Sequence, residues 1–257
     1  MLAPWVFKPI LQYASEQGIA DHQLLKSLGC NKEDLFNLKS PIQYQYLDRL
    51  ILEILSITGD KNIGLKLGAT KNMLSGHLLD YLVRSCDHVF DAVKKIDEYN
   101  HLLSDFLFVK LKQTDHSYQV SFPYVNSWAI AFPESSRIIR DCVTFFMVNL
   151  IKSLSNNTAI PNQVVIGDIS KIDHSRVEQL SLISPVQPVF SGFTDILEYP
   201  LTCNSVLITS NDMVQKTLEV QLQINSEITT CQMSIVHRIK LQLISMGMSV
   251  IDVQIGD

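Results

Sequence analysis

The chain has 257 residues, of which 46% are hydrophobic and 18% charged, and its formal net charge is -5. This composition predicts a globular protein with a substantial core and argues against disorder. The acidic balance argues against a chain that itself binds nucleic-acid phosphates, because such binding needs a concentrated basic face.

Cysteine usage and hydropathy exclude further classes of protein. The five cysteines are odd in number and widely spaced, with no C-x-x-C pair, so neither a disulfide scaffold nor a zinc site is indicated. The most apolar run, Cys142 to Ile151, is too short to cross a membrane, and the N-terminus lacks a signal-peptide cleavage site. We expect a cytoplasmic protein with no membrane contact, no metal and no cofactor.

Residues 1–104 have the pattern of short helices. Apolar residues recur at three-to-four spacing, and glycines stand where helices end. The predicted helices are one that ends before Gly18, then Asp21 to Gly29, Ile42 to Gly59, Leu78 to Cys86 and Val89 to Leu103.

Residues 105–210 mix strands and helices. Apolar alternation predicts a β-hairpin from Leu107 to Phe122, and Pro133 opens a long helix with an apolar face. Beyond it we expect a short helix around Leu180 and extended segments at Val164 to Ile166, Val186 to Phe190, Ile196 to Tyr199 and Val206 to Ile208. The predicted fold class is α+β, with a helical N-terminal half, a mixed α/β middle with a small antiparallel sheet, and a helical C-terminal connector.

Residues 211–231 are predicted to form that connector. Asn211 can cap a helix in which Val214, Leu218 and Leu222 lie near a heptad seam. The seam can be a dimer contact or can pack on the chain's own body, and the sequence leaves both open.

One segment and its neighbours carry a recognisable pattern. Residues 59–68 read GDKNIGLKLG, and the helix from Val89 to Tyr99 has Ala92 and Tyr99 at matching positions. The segments 24–29 (LLKSLG), 76–85, 188–190 (PVF) and 211–212 (ND) follow the same order. Together they resemble the arabinose-binding N-terminal domain of AraC-type bacterial transcription regulators. The resemblance implies a ligand-sensing domain over residues 1–210 and, since many such regulators act as dimers, a homodimer.

The C-terminal residues 232–257 resemble the opening of that family's helix-turn-helix domain. Val236, Leu243 and Gly247 match its first helix, and Ser249 matches the cap of the second, whereas Gln254 replaces a usual alanine. The chain ends at Asp257, before any recognition helix. We expect a truncated start of the DNA-binding domain, with DNA contacted only through a domain missing from this chain.

The resemblance implies an unknown small-molecule effector, which we expect between the helical and the mixed parts. Ligand pockets combine apolar walls with a few polar groups. The candidate site residues are aromatic or basic: Tyr81, Arg84, Tyr99, Trp128, Phe132, Arg137 and Arg140. If the effector is an organic or fatty acid, Arg137 and Arg140 suit its carboxylate. The alternative is that the aromatics fill the core and the arginines pair with Glu134 and Asp141.

Catalytic and metal-binding patterns are weak. The Ser-Gly pairs lack the second glycine of a nucleophile elbow, so we expect no enzyme. The pairs His77 with Asp80 and Asp97 with His101 share helix faces but lack a third ligand. Two functions remain: the sensing region of an AraC-type regulator, or a naturally shortened interaction module that forms mixed dimers with an intact relative.

Overall fold

The computed structural model describes residues 6–29, 44–75, 77–167, 174–205, 207 and 211–232. The helices are α1 (Phe7–Glu16), α2 (Asp21–Ser27), α3 (Tyr44–Thr58), α4 (Ile63–Thr70), α5 (Leu78–Ser85), α6 (Val89–Tyr99), α7 (Asn126–Ala131), α8 (Pro133–Leu154), α9 (His174–Ile183) and α10 (Asp212–Gln232). The strands are β1 (Lys110–Gln113), β2 (Ser117–Ser121), β3 (Gln163–Ile166), β4 (Val189–Phe190) and β5 (Ile196–Pro200). A 3₁₀ turn, Asn100–Leu102, continues α6, and another covers Leu201–Cys203.

Glycines end three of the N-terminal helices, as the sequence predicted. Gly18, Gly29 and Gly59 follow α1, α2 and α3 with positive φ angles of 81°, 69° and 65°. This left-handed conformation lets the chain turn away from a helix end and is easy only for glycine. The predicted helical character of the N-terminal half is confirmed over its described residues.

Helix α4 was not among the helices predicted from periodicity. Two of its eight residues are glycines, which disfavour an isolated helix. The helix forms because it packs along α8, where Gly64 and Gly68 let the two backbones approach closely. A side chain at either position would overlap a carbonyl oxygen of α8, that of Ile138 or that of Cys142.

The sheet has five strands in the order β1-β2-β5-β3-β4. Its pairs β1–β2, β2–β5 and β5–β3 are antiparallel, and the first of them is the predicted hairpin. The small antiparallel sheet predicted from the sequence is extended at one edge by β4, which pairs with β3 in parallel. Helix α9 comes between β3 and β4 in the sequence. Such a helical crossover returns the chain to the same end of the sheet, so β4 runs in the same direction as β3.

The long helix α8 lies at the centre of the fold. It contacts α3, α4, α6, α7 and β5, and most of its side chains are buried. Residues of the helical part and of the mixed part belong to one continuous hydrophobic core. The α+β class is therefore confirmed, and the two parts share a core.

The helix predicted over residues 211–231 is confirmed as α10, and Asn211 caps it, because its side-chain Oδ1 accepts a hydrogen bond from the Val214 N–H at 3.1 Å. The predicted start of a helix-turn-helix domain, and most of the extended segment Val206 to Ile208, lie outside the described residues. Within the described ranges, no helix combines the length and the apolar character needed to cross a bilayer.

Candidate ligand-binding site

A cavity of about 80 Å³ lies where the helical part meets the mixed part of the fold. This is the region where the sequence predicted a ligand site. The cavity is lined by Val6, Leu47, Met73, Leu74, Ile96, Asn100, Leu103, Ser104, Phe106, Leu107, Val109, Ile139, Cys142, Val143, Phe146 and Met147. A water molecule needs only roughly 10–15 Å³ of such space, so a group of several non-hydrogen atoms can fit.

Helix α8 supplies the largest share of one wall. Its lining residues, Ile139, Cys142, Val143, Phe146 and Met147, follow the three-to-four spacing that places side chains on one helix face. Ile139, Cys142 and Phe146 are also on the apolar face that the sequence predicts for this helix. A second group of lining residues comes from α6, its 3₁₀ turn and residues 103–109.

The two polar lining side chains are bonded to their own chain segment. The Asn100 amide Nδ2 donates to the Leu107 carbonyl, and its Oδ1 accepts from the Val109 N–H, both at 3.1 Å. The Ser104 Oγ accepts from the N–H groups of Phe106 and Leu107, both at 3.2 Å. These bonds shape the wall at residues 104–109 and leave an interior that is almost wholly apolar.

Sulfur-containing side chains supply the deformable part of the lining. Met73 and Met147 are flexible and polarisable, which lets a cavity wall adapt its shape. Cys142 is 1% exposed, and burial raises the pKa of its thiol, with Asp141 acting in the same direction. The thiol is therefore neutral at physiological pH and adds no charge to the cavity.

The predicted aromatic site residues lie outside the cavity lining. Trp128 is buried behind it and packs on the lining residue Phe106, with ring centroids 4.5 Å apart. Phe132 packs edge-on against Tyr44 at 5.2 Å. Tyr99 is half-buried near His101, and Tyr81 is 59% exposed on α5. Trp128 and Phe132 thus support the core beside the cavity, while Tyr81 faces outward.

The predicted arginines are engaged elsewhere. Arg137 donates to Glu134 at 2.9 Å, to Asp141 at 3.3 Å and to the Lys61 carbonyl at 3.1 Å. This is the local pairing that the sequence offered as the alternative to ligand binding. On α5, Arg84 donates to Asp80 at 3.0 Å.

Arg140 belongs to a buried polar cluster on α8. Its guanidinium lies 4.7 Å from the centre of the Tyr124 ring. Asp141, in the same cluster, accepts from Arg176 of α9 at 2.7 Å. Since residues are about 100° apart around a helix, the face with Arg137, Arg140, Asp141 and Thr144 is centred about 140° from the cavity face.

Asp195 closes this cluster from the β4–β5 connection. Its carboxylate accepts from the Gly167 N–H at 2.7 Å and the Thr144 hydroxyl at 3.1 Å. Burial raises the pKa of Asp195, while Arg140 and these hydrogen bonds act in the opposite direction. The cluster joins α8, α9 and the sheet, so its evident role is structural.

Helix α10 packs mainly on α5 and also contacts the 3₁₀ turn that follows α6. Lys95 forms ion pairs with Glu98 and with Glu219 of α10, at 2.8 and 3.0 Å. The His101 Nδ1 donates to the Glu98 carbonyl at 3.2 Å, so the neutral ring accepts from the Ser226 hydroxyl at Nε2, at 2.6 Å. Burial lowers the pKa of His101, which favours this neutral form.

The three residues of the predicted dimer seam differ in burial, because α10 packs on its own chain. Leu222 is fully buried within the chain and Leu218 is partly buried against the core, whereas Val214 is 43% exposed. The opposite side of α10 exposes Met213, Val220 and Ile224.

The two predicted metal-ligand pairs serve local roles. The His77 Nδ1 caps α5 by accepting from the Leu79 N–H, and Asp80 binds Arg84. Asp97 accepts from Lys110 and from the Leu111 N–H. Across the described residues, no three His, Cys, Asp or Glu side chains are grouped so as to hold a metal ion.

Comparisons with known proteins agree with the resemblance seen in the sequence. Residues 18–167 match the family model "Arabinose-binding domain of AraC transcription regulator, N-term", a regulatory domain and not an enzyme class. No curated protein sequence matches the chain.

Among solved structures, the chain is similar to the crystal structure of the transcriptional regulator CdpR from Pseudomonas aeruginosa. The TM-score is 0.62 at 14% sequence identity, over 83% of this chain and 61% of that chain. At this identity the likeness shows the fold, and the chain spans about three fifths of that regulator's length. Because the family model covers more than half of the sequence, the chain belongs to the family of AraC-type regulator N-terminal, arabinose-binding domains.

Proposed function

We propose that this chain senses a small molecule for an AraC-type transcription regulator in the bacterial cytoplasm, with the effector bound in the cavity between α6 and α8. A DNA-binding domain C-terminal to α10 would read the signal. The family match supports the regulatory role, and the cavity supports a site for a small molecule. The seven residues that the sequence predicted for the site would then act as supporting core or surface groups: Tyr81, Arg84, Tyr99, Trp128, Phe132, Arg137 and Arg140.

The observation that carries this proposal is the double use of α6 and its 3₁₀ turn. Ile96, Asn100 and Leu103 line the cavity from this region. Lys95 and His101, from the same stretch of chain, hold Glu219 and Ser226 of α10. A ligand that shifts α6 therefore changes how firmly α10 is held. Such a shift in populations is the physical basis of allosteric coupling.

Hydrogen–deuterium exchange of the full chain tests this coupling. A ligand found by thermal shift at about one hundred times its Kd adds about 2.7 kcal/mol of stability. We expect that ligand to change exchange in α6 and also in α10, which does not line the cavity. Lys95→Met, which removes the link to Glu219, should reduce the α10 response, whereas Lys94→Met, its exposed neighbour, should not. An unchanged α10 response in Lys95→Met would contradict this route.

Dimerisation is the second part of the proposal. The exposed face of α10 supports it, because Met213, Val220 and Ile224 recur at intervals of seven and four residues. Leu218 and Leu222 from the predicted seam would hold α10 on its own chain, with Val214 at the edge of the dimer contact. The same face would serve the alternative function, a module that forms mixed dimers with an intact regulator.

Sedimentation of the purified chain tests the dimer. Val220→Glu places a charge on the exposed α10 face and should shift the protein toward monomer. Val189→Glu, on the exposed edge strand β4, is the matched control. A monomer at all concentrations would contradict the homodimer, and a mixed complex formed only with an intact regulator would favour the interaction module.

A further inference from the structure

We propose that the effector of this chain is an uncharged, apolar molecule or group, and not a sugar or a carboxylate. This inference rests on the proposed function, because it concerns the same cavity. It departs from both the sugar in the description of the matching family and the acid suggested by the arginines in the sequence.

The cavity lining offers few hydrogen-bonding groups to a ligand. A sugar carries several hydroxyl groups, each of which needs a partner once water is removed. Among the described lining residues the polar side chains are Asn100 and Ser104, and their bonds to residues 106–109 hold the wall in place. A sugar could use them only by breaking bonds that form the wall itself.

The described cavity lining also offers no charge to a ligand. None of the described lining side chains is charged, and the Cys142 thiol is kept neutral by burial. Arg137 is held by Asp141, Glu134 and the Lys61 carbonyl, on a face of α8 turned away from the cavity. A carboxylate in the cavity would therefore lose its hydration without gaining a counter-charge.

The cavity favours ligands with apolar surface. Its aliphatic, aromatic and thioether walls gain from covering apolar surface, roughly in proportion to the area removed from water. Met73 and Met147 can adapt to chains or rings of somewhat different shape. The cavity therefore favours an alkyl or aryl group carried by an uncharged molecule.

A competition experiment on the full chain separates these cases. N-phenyl-1-naphthylamine, an uncharged probe that fluoresces in apolar surroundings, reports occupancy. The competitors are 1-octanol, sodium octanoate at pH 7 and L-arabinose, so that the first two share a chain and differ in charge. We expect 1-octanol to displace the probe, octanoate to be weaker by about tenfold or more, and arabinose to have no effect.

Substitutions assign the binding to this cavity. Val143→Phe fills part of the space and should weaken probe and octanol binding by about tenfold, with Val143→Leu as a milder variant that keeps the fold if phenylalanine does not. Val189→Phe makes the same change on an exposed strand and should leave binding unchanged.

The outcomes distinguish the ligand class from the sensing function. Octanoate or arabinose binding that matches octanol and is lost in the Val143 variants would overturn the uncharged ligand while leaving a small-molecule sensor. Failure of all three competitors and of the probe, or binding unaffected by both Val143 variants, would overturn the cavity as the site and the proposed function with it.

Discussion

Gly64 of α4 lies directly against the backbone of α8 at Ile138, so closely that a β-carbon on Gly64 would overlap the Ile138 carbonyl oxygen. One turn later, Gly68 stands in the same relation to Cys142. The GLKLG segment that marks the family in this sequence thus has a physical role. It allows α4 to lie on the helix that forms one wall of the cavity.

We predict that Gly68→Ala destabilises the protein. In an exposed helix, replacing glycine by alanine stabilises by about 1 kcal/mol. Here we expect a loss of about 2–4 kcal/mol, because the new methyl group would push α4 away from α8. Urea unfolding measures the change. Thr70→Ala, an exposed position on the same helix, is the control, and a Gly68→Ala variant as stable as that control would contradict the close packing.

We predict that Asp141 is essential to the buried cluster on α8. Asp141→Ala leaves the buried Arg137 and Arg176 without their shared carboxylate, and we expect a loss of about 3–5 kcal/mol.

Glu134→Ala is the matched control for Asp141, because Glu134 contacts the same Arg137 but its side chain is 43% exposed. We expect a loss below about 1 kcal/mol for this variant, since solvent screens such pairs. Thermal unfolding compares the two proteins, and equal losses would show that burial is not the deciding factor.

His77 should make stability depend on pH. Burial lowers its pKa to about 4 in the folded chain, from about 6.5 in an unfolded one. The unfolded chain therefore binds the proton first, so the contribution is complete above about pH 6.5 and is lost as pH falls toward about 4, by up to about 3 kcal/mol. His101, whose pKa burial also lowers, adds a slope of the same sign.

Two variants separate the titration of His77 from its capping role. His77→Asn keeps an acceptor for the Leu79 N–H and should flatten the profile between about pH 6.5 and 4. His77→Ala should flatten it as well but also lower stability at pH 7 by about 1 kcal/mol, because the cap is lost. A full slope in His77→Asn would show that other groups cause it.

The docking of α10 should depend on Leu222. Leu222→Ala removes a fully buried side chain, and we expect a loss of about 2–4 kcal/mol together with faster hydrogen exchange in α10. Gln223→Ala, next to Leu222 but exposed and outside the proposed dimer face, should leave exchange in α10 unchanged. Equal exchange in both variants would contradict the docked position of α10.

Periodicity and turn chemistry were sufficient for much of the fold. Glycine is the residue that tolerates the left-handed conformation after α1, α2 and α3, so the helix ends could be located from the sequence. Alternation located the β1–β2 hairpin, and Pro133 located the start of α8. Helix α4 could not be predicted this way, because its glycines lower local helix propensity and are explained only by the neighbouring α8.

The position of the candidate site, between the helical and the mixed parts, followed from the sequence, but its residues did not. Arg140 and Val143 are three residues apart on one helix, yet Arg140 lies over Tyr124 and Val143 lines the cavity. Periodicity shows which residues share a face, whereas the neighbour that covers each face comes from distant parts of the chain. The sequence by itself therefore determined the family, the class of fold and the ends of its elements, and only tertiary packing decided that the cavity is apolar and that the arginines are used elsewhere.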